Sequence, residues 1–195
     1  MTIAIRKPDY WVSVGNAYFY DDAMTAPEGV NSIKEIGISE DKAEQKLYGS
    51  GIVYEVVSQT TSTQITVTAI QLPEEWTNKY LGRTIDGAFN MQTVTDRLKE
   101  FSFGYTVEYS DGKKIFKWFP RCQMTLADET IATRTADPVD PQRQYTIVAM
   151  PTAEGVVRVS YDQQQVTEGE AALTEDEFFA QVLVNLENKP THTAG

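Results

Sequence analysis

Carboxylates are the commonest side chains here that could do chemistry, and many stand side by side: Asp21/Asp22, Glu40/Asp41, Glu74/Glu75, Asp128/Glu129 and Glu175/Asp176/Glu177. Two carboxylates can divide acid and base roles when a pocket pulls their pKa values apart. Neighbours along a strand point to opposite faces, so adjacency alone aims no pair at a substrate. The groups read instead as solvated charge and helix-start residues. A Ser-His-Asp or Cys-His site would have to recruit His192, the one histidine, which reads as a solvated residue of the segment "PTHTAG". The one cysteine, Cys122, sits in the apolar, strand-like "WFPRCQM" and reads as a small core residue. One histidine and one cysteine cannot complete a Cys/His zinc site, nor one cysteine an internal disulfide. Phosphate-loop, dinucleotide and H-E-x-x-H signatures are missing from the sequence. The expectation is a protein that is not an enzyme and uses no cofactor or metal.

Charge points the same way. The 195 residues carry 17 basic against 28 acidic side chains, a net charge of −11. Proteins that grip nucleic acid neutralise phosphates with Lys and Arg, whereas this chain repels polyanions. One basic, aromatic stretch stands out, "DGKKIFKWFPRC", with Lys113, Lys114, Lys117 and Arg121. It reads as the second arm of a hairpin that turns at Asp111-Gly112 after "SFGYTVEY", its lysines facing solvent and blunting a sheet edge. With 10 Tyr, 8 Phe and 3 Trp the chain can bury a substantial core. No run approaches the ~18–20 apolar residues of a membrane span. "MTIAIRKPDYW" lacks the apolar centre of a secretory signal, so neither membrane insertion nor export by that route is expected.

The elements that position these residues are mostly strands. "DYWVSVGNAYFY" (9–20), "GVNSIKEIGIS" (29–39) and "IVYEVVS" (52–58) read as strands. The polar "EDKAEQKLYGSG" (40–51) reads as a short helix or a mobile loop, and "QTTST" (59–63) as a turn. Alternation at Ile65, Val67 and Ala69 then marks a half-buried strand, and a phase shift to Ile70 and Leu72 marks its end or a bulge. "LPEEWTNKYLG" follows as a short helix: Pro73 in the first turn, Glu74 and Glu75 at the positive end, and Gly82 to cap it. Its Trp76 and Tyr80, with Leu72, would pin it to the sheet. "ATRTADPVDPQRQ" (132–144) reads as a loop, and "QYTIVAMPT" and "VVRVSYD" as the last strands.

One domain is expected over 1–162, then a flexible linker over 163–172 and a helix over 173–189, with a flexible tail over 190–195. Thr174 and Glu177 have capping-box spacing, and Phe178, Phe179, Val182, Leu183 and Leu186 fall on one helical face that would dock on the domain. The fold class is mainly β, an antiparallel β-sandwich or barrel with a short flanking helix and a C-terminal amphipathic helix.

The stretch "ISEDKAEQKLYGSGIVYEVVSQTTSTQITVTAIQLPEEWTNKYLG" resembles the signature region of major tail tube proteins of long-tailed bacteriophages with non-contractile tails. There, a polar segment ending in "LY" and a small-residue turn lead to a strand, an alternating strand and a short helix closing on "LG". The later "FGYTVEYSDGKKIFKWFPRCQMTLADETIATRTADPVDPQRQYTIVAMPT" is similar to that family's hairpin and return strand. The resemblance covers residues 30–160. It implies a structural virion protein, assembled in the host bacterial cytoplasm into hexameric rings that stack into a tube. The implied partners are other copies, a tape measure and a tail terminator protein, with double-stranded DNA passing through unbound. In that setting Glu40, Asp41, Lys42, Glu44, Lys46, Leu47 and Tyr48 are the candidate contacts to a neighbouring subunit or the next ring. Two other readings stay open. One is a contractile-tail or secretion-system tube or baseplate ring of the same architecture, and the other a monomeric β-sandwich that binds a small apolar ligand.

Overall fold

Antiparallel pairing organises the chain. A computed structural model describes residues 10–49, 52–126, 142–167 and 169–192. Its strands are β1 (Trp11–Tyr20), β2 (Glu28–Val30), β3 (Ile33–Gly49), β4 (Ile52–Ala69), β5 (Thr84–Asp86), β6 (Phe89–Met91), β7 (Phe101–Tyr109), β8 (Lys114–Leu126), β9 (Arg143–Ala149) and β10 (Val159–Asp162). Helix α1 (Glu74–Tyr80) follows β4, and a 3-10 turn (Gln163–Gln165) and helix α2 (Glu175–Phe179) follow β10. The main sheet runs β2-β1-β7-β8-β9-β4-β3, with β10 also on β8, while β5 and β6 form a separate small hairpin.

Strand β8 makes this one sheet into two layers. Its first half pairs with β7 and β10, and from Cys122 onward it pairs with β9. Pro120, which donates no ladder hydrogen bond, lies at the changeover. The layer β1-β7-β8 contributes Ala17, Phe19, Phe101, Phe103, Tyr105 and Phe119 to the core. The layer β8-β9-β4-β3 answers with Ile65, Val67, Ala69, Cys122, Met124, Tyr145, Ile147 and Ala149. Period-two alternation in β4 and β9 places these inward and the polar residues between them outward, as expected at Ile65, Val67 and Ala69. Burial pushes the Cys122 thiol far up, which suits an inert core residue.

Helix α1 closes one end of the core. Leu72 and Tyr80 are buried, and Trp76 packs half-buried against Phe19. Pro73 is its N-cap, and its last turn ends in a Schellman motif: Gly82 N–H donates to Lys79 O and Arg83 N–H to Asn78 O. Gly82 has φ +72°, and a Cβ there would lie 2.0 Å from Arg97 O, so only glycine fits. A buried Asp21 holds Lys79 at 2.6 Å and ties the end of β1 to the helix.

The outer face of the β1-β7-β8 layer is covered by the C-terminal segment. Phe178, Phe179 and Leu183 pack on Phe116, Trp118 and Val159, with Tyr18, Tyr20 and Val182 at the margin. The ring of Phe179 stacks on Tyr18 at 3.9 Å and sits over Gly104, where a Cβ would come within 2.6 Å of it.

Three expectations are corrected. The segment 40–51, read as helix or loop, is strand on both sides of residues 50 and 51, which lie outside the described residues. The turn read over 59–63 is continuous β4. The helix read over 173–189 spans only Glu175–Phe179. Its capping box forms as expected, but the chain leaves the helix at Ala180. Beyond it Val182 and Val184 are β-branched, and the Asn185 side chain accepts from Glu187 and Asn188 N–H, a turn that competes with helix. Leu186 therefore leaves the apolar face and is 71% exposed. The segment read as linker starts in the 3-10 turn, whose Gln163 accepts from Lys114 N–H and donates to Leu173 O. Of the loop read over 132–144, residues 132–141 lie outside the described residues, as do 193–195 of the tail.

Candidate functional site

Two strands leave the sandwich together, β4 rich in threonine and β-branched residues and β3 mostly polar. Strand β9 pairs with β4 only from Thr63 to Ala69, yet β3 and β4 stay paired out to Gly49↔Ile52. From Thr63 to Ile52 is 63 − 52 = 11 residue steps, so the arm projects about 35 Å at ~3.3 Å per residue. Two-stranded ribbons are marginal in water without a surface to pack on. This one also ends in exposed apolar side chains, namely Leu47, Tyr48, Ile52, Val53, Tyr54 and Val56, with Tyr54 84% exposed. The extra residues at its register shifts, Thr61 and Tyr54, both lie on β4. β3 therefore alternates without interruption, and Glu40, Lys42, Glu44, Lys46 and Tyr48 share one face, Asp41 and Leu47 the other. Along the first face the charges alternate in sign. At its root Glu40 receives Lys42 at 3.5 Å and Arg158 at 3.8 Å.

The layer that carries the arm shows an outer face with little charge. Three rows cross it: Gln123–Val148–Gln64–Ser39, Thr125–Thr146–Thr66–Gly37 and Gln144–Thr68–Glu35. These rows contain no lysine or arginine, and Glu35 is their one charge. Arg121, next along β8, is clamped by Glu100 through hydrogen bonds of 2.7 and 3.0 Å. The layer ends at β3, the terminal strand of the sheet, whose outer edge pairs with no strand among the described residues.

The residues matched by the sequence model of the phage tail tube protein family are 22–190, spanning the arm, every strand from β2 to β10 and helix α2. The chain belongs to the phage tail tube protein family. No curated protein matches it. A tail tube protein is a structural component of the bacteriophage tail that assembles with other tail components, and the surfaces above are read in that light.

The basic stretch of this tail tube chain is not the solvent-facing set that its sequence suggests. Lys114 Nζ lies 2.7 Å from Glu175 Oε2, and Glu175 Oε1 accepts from Tyr18 at 2.7 Å and Asn16 at 2.9 Å. Burial pushes the Glu175 carboxyl up, but these three hydrogen bonds and the lysine's charge outweigh it and hold it below its ordinary value. Stability from such a depressed group is complete above the ordinary glutamate pKa of about 4.5 and is lost as pH falls through the lower folded value. Glu175→Gln is expected to cost about 1–3 kcal/mol at pH 7 in a urea titration and to flatten the loss of stability below pH 4.5.

Lys117 departs furthest from expectation. It faces the core side of β8, is only 8% exposed, and its Nζ lies 5.0 Å from the Trp11 ring centroid and 5.5 Å from that of Tyr105. Burial and the nearby Arg158 charge lower its pKa. No carboxylate reaches it among the described residues. Strand alternation held the signal, since Lys117 stands in phase with Ile115 and Phe119, but the DG turn and the neighbouring lysines concealed it. His192, read as solvated, approaches Glu177 at 3.2 Å. The apolar arm tip was also missed: the near-continuous "IVYEVV" has the pattern of a strand buried on both faces. Of the scaffold residues, Ile65, Val67, Leu72, Tyr80, Phe178, Phe179 and Leu183 are buried, Trp76 and Val182 half-buried, and Leu186 exposed.

Proposed function

We propose that six copies of this chain close into a ring and that rings stack into the tail tube of a long-tailed, non-contractile phage, through which double-stranded DNA passes to the host without specific binding. The supporting observation is the three rows without lysine or arginine on the outer face of the four-stranded layer β8-β9-β4-β3, whose last strand pairs with no further strand among the described residues. Six such layers give 24 strands. At ~4.8 Å spacing and ~40° tilt their backbones describe a cylinder about 48 Å across. Inward side chains would leave a bore of roughly 35–40 Å, wide enough for a DNA duplex. A wall of Thr, Ser and Gln offers passing phosphates no cation, and the ring's total of 6 × −11 = −66 adds a repulsive field. Pairing edges around the ring satisfies backbone groups that a lone subunit leaves to water.

The arm is then the contact to a neighbouring subunit or the next ring, with Glu40, Asp41, Lys42, Glu44 and Lys46 fixing register by alternating charge and Leu47 and Tyr48 adding apolar area. A tape measure protein inside the bore and a tail terminator at its end complete the set of partners, and assembly takes place in the host cytoplasm before the tail joins the virion. Light scattering over a concentration series tests this reading. Growth to assemblies of six or more copies is expected, whereas a 21.9 kDa particle at every concentration would leave the reading without support and favour a monomeric binding protein.

A further inference from the structure

Two charges that meet no opposite charge among the described residues sit on surfaces of matching character. One is the Lys117 ammonium, buried between the layers with Tyr105 on one side and Trp11 on the other. Trp11 is 61% exposed and, with Tyr10 and Val12, forms an apolar patch at the start of β1 beside the amine. Arg158, whose charge acts on Lys117, is already engaged by Glu40 at 3.8 Å. The other is Glu55 in the arm. It pairs across the ribbon with Leu47 and lies between the exposed Tyr54 and Val56. The alternating charges Glu40 to Lys46 occupy the opposite face, and no cation of the described residues meets Glu55. Lys117 is desolvated, and Glu55 lies opposite Leu47 at the apolar end of the ribbon; a desolvated charge is most costly unmatched and most selective when matched.

We propose that the arm tip of a second copy seats on the Tyr10–Trp11–Val12 patch, with its Glu55 carboxylate paired to Lys117 of the receiving copy. This rests on the tail tube reading and names where the arm docks. Charge decides the occupant: Lys117 is a buried cation that no carboxylate of the described residues reaches, and the tip supplies one carboxylate, Glu55, beside Leu47. Apolar contact at Tyr54 and Ile52 covers the Trp11 patch, and the ion pair fixes the register of the ribbon on it.

Charge reversal on the full chain tests the docking. Lys117→Glu and Glu55→Lys are each expected to raise the concentration needed for polymerisation, measured by sedimentation, at least about tenfold, and the double variant to restore it to near the wild-type value. Because a buried glutamate can disturb folding, Lys117→Met and Glu55→Gln are measured alongside with circular-dichroism melts, and the same tenfold loss is expected with melting unchanged. Carbodiimide treatment of the wild-type assembly is expected to join Glu55 of one chain to Lys117 of another. Assembly of the methionine and glutamine variants at the wild-type concentration would overturn the docking while leaving the tube reading intact. Retention of duplex DNA that depends on Lys117, with assembly unaffected by its replacement, would assign the cation to phosphate and likewise overturn it. A wild-type chain that never associates would remove the tube reading itself.

Discussion

Replacing the arm tip with Ile52→Asp and Tyr54→Asp is expected to abolish polymerisation and to leave the melting temperature of the free subunit unchanged. Both side chains are exposed within their own chain, so their loss takes no packing from the sandwich, and exposed substitutions usually fall within about 0.5 kcal/mol. On the proposed docking, the same positions become the centre of a contact. Buried aromatic and aliphatic anchors there are worth about 2 kcal/mol or more each, and introducing two carboxylates adds a desolvation cost on top. Because every copy in an assembly carries the change, the deficit repeats at each contact. Sedimentation of the polymer and a melt of the soluble fraction separate the two quantities. Normal tubes from the double variant would show that the arm does not carry the association.

Phe19→Ala is expected to be the most destabilising change within the subunit. The ring is fully buried and lies 5.2 Å from Phe103, 5.3 Å from Trp76, 5.7 Å from Phe101 and 6.2 Å from Tyr80. It is the side chain through which β1 and β7 meet α1. Truncating a buried phenylalanine costs about 3–5 kcal/mol, a large part of the 5–15 kcal/mol that holds a typical domain. For a domain of this size that lowers the melting temperature by about 6–20 °C. Leu186→Ala, at a position that the helical pattern would have placed in the core, is expected to change stability by no more than about 0.5 kcal/mol. Chemical denaturation of both variants gives the comparison, and a Leu186 effect as large as that of Phe19 would contradict the docking described for the C-terminal segment.

That pair of residues shows what the sequence carries and what it does not. Alternation at Ile65, Val67 and Ala69, the cap at Thr174 and the closing glycine at Gly82 are local signals, and each stands where it was read. The long β3–β4 arm was hidden for the opposite reason. Residues 40–49 are almost wholly polar, and their strand conformation is set by pairing with β4 rather than by any propensity of their own. The C-terminal helix was overread because the spacing of Phe178, Phe179 and Leu183 suits a helix, while the fold needs only five helical residues to seat the two rings. The cation-free rows of the sheet face could not be seen at all from the chain order. Its rows draw on four strands between residues 35 and 148, and only the register brings Ser39, Gln64, Val148 and Gln123 into line.

The most direct measurement is an electron cryo-microscopy reconstruction of the concentrated protein. The expected result is a stack of six-fold rings with a bore of roughly 35–40 Å, its wall formed by the Thr, Ser and Gln rows of β8-β9-β4-β3 and each arm resting on another copy. Particles with no symmetry and a single chain, or a bore lined by lysine and arginine, would contradict it.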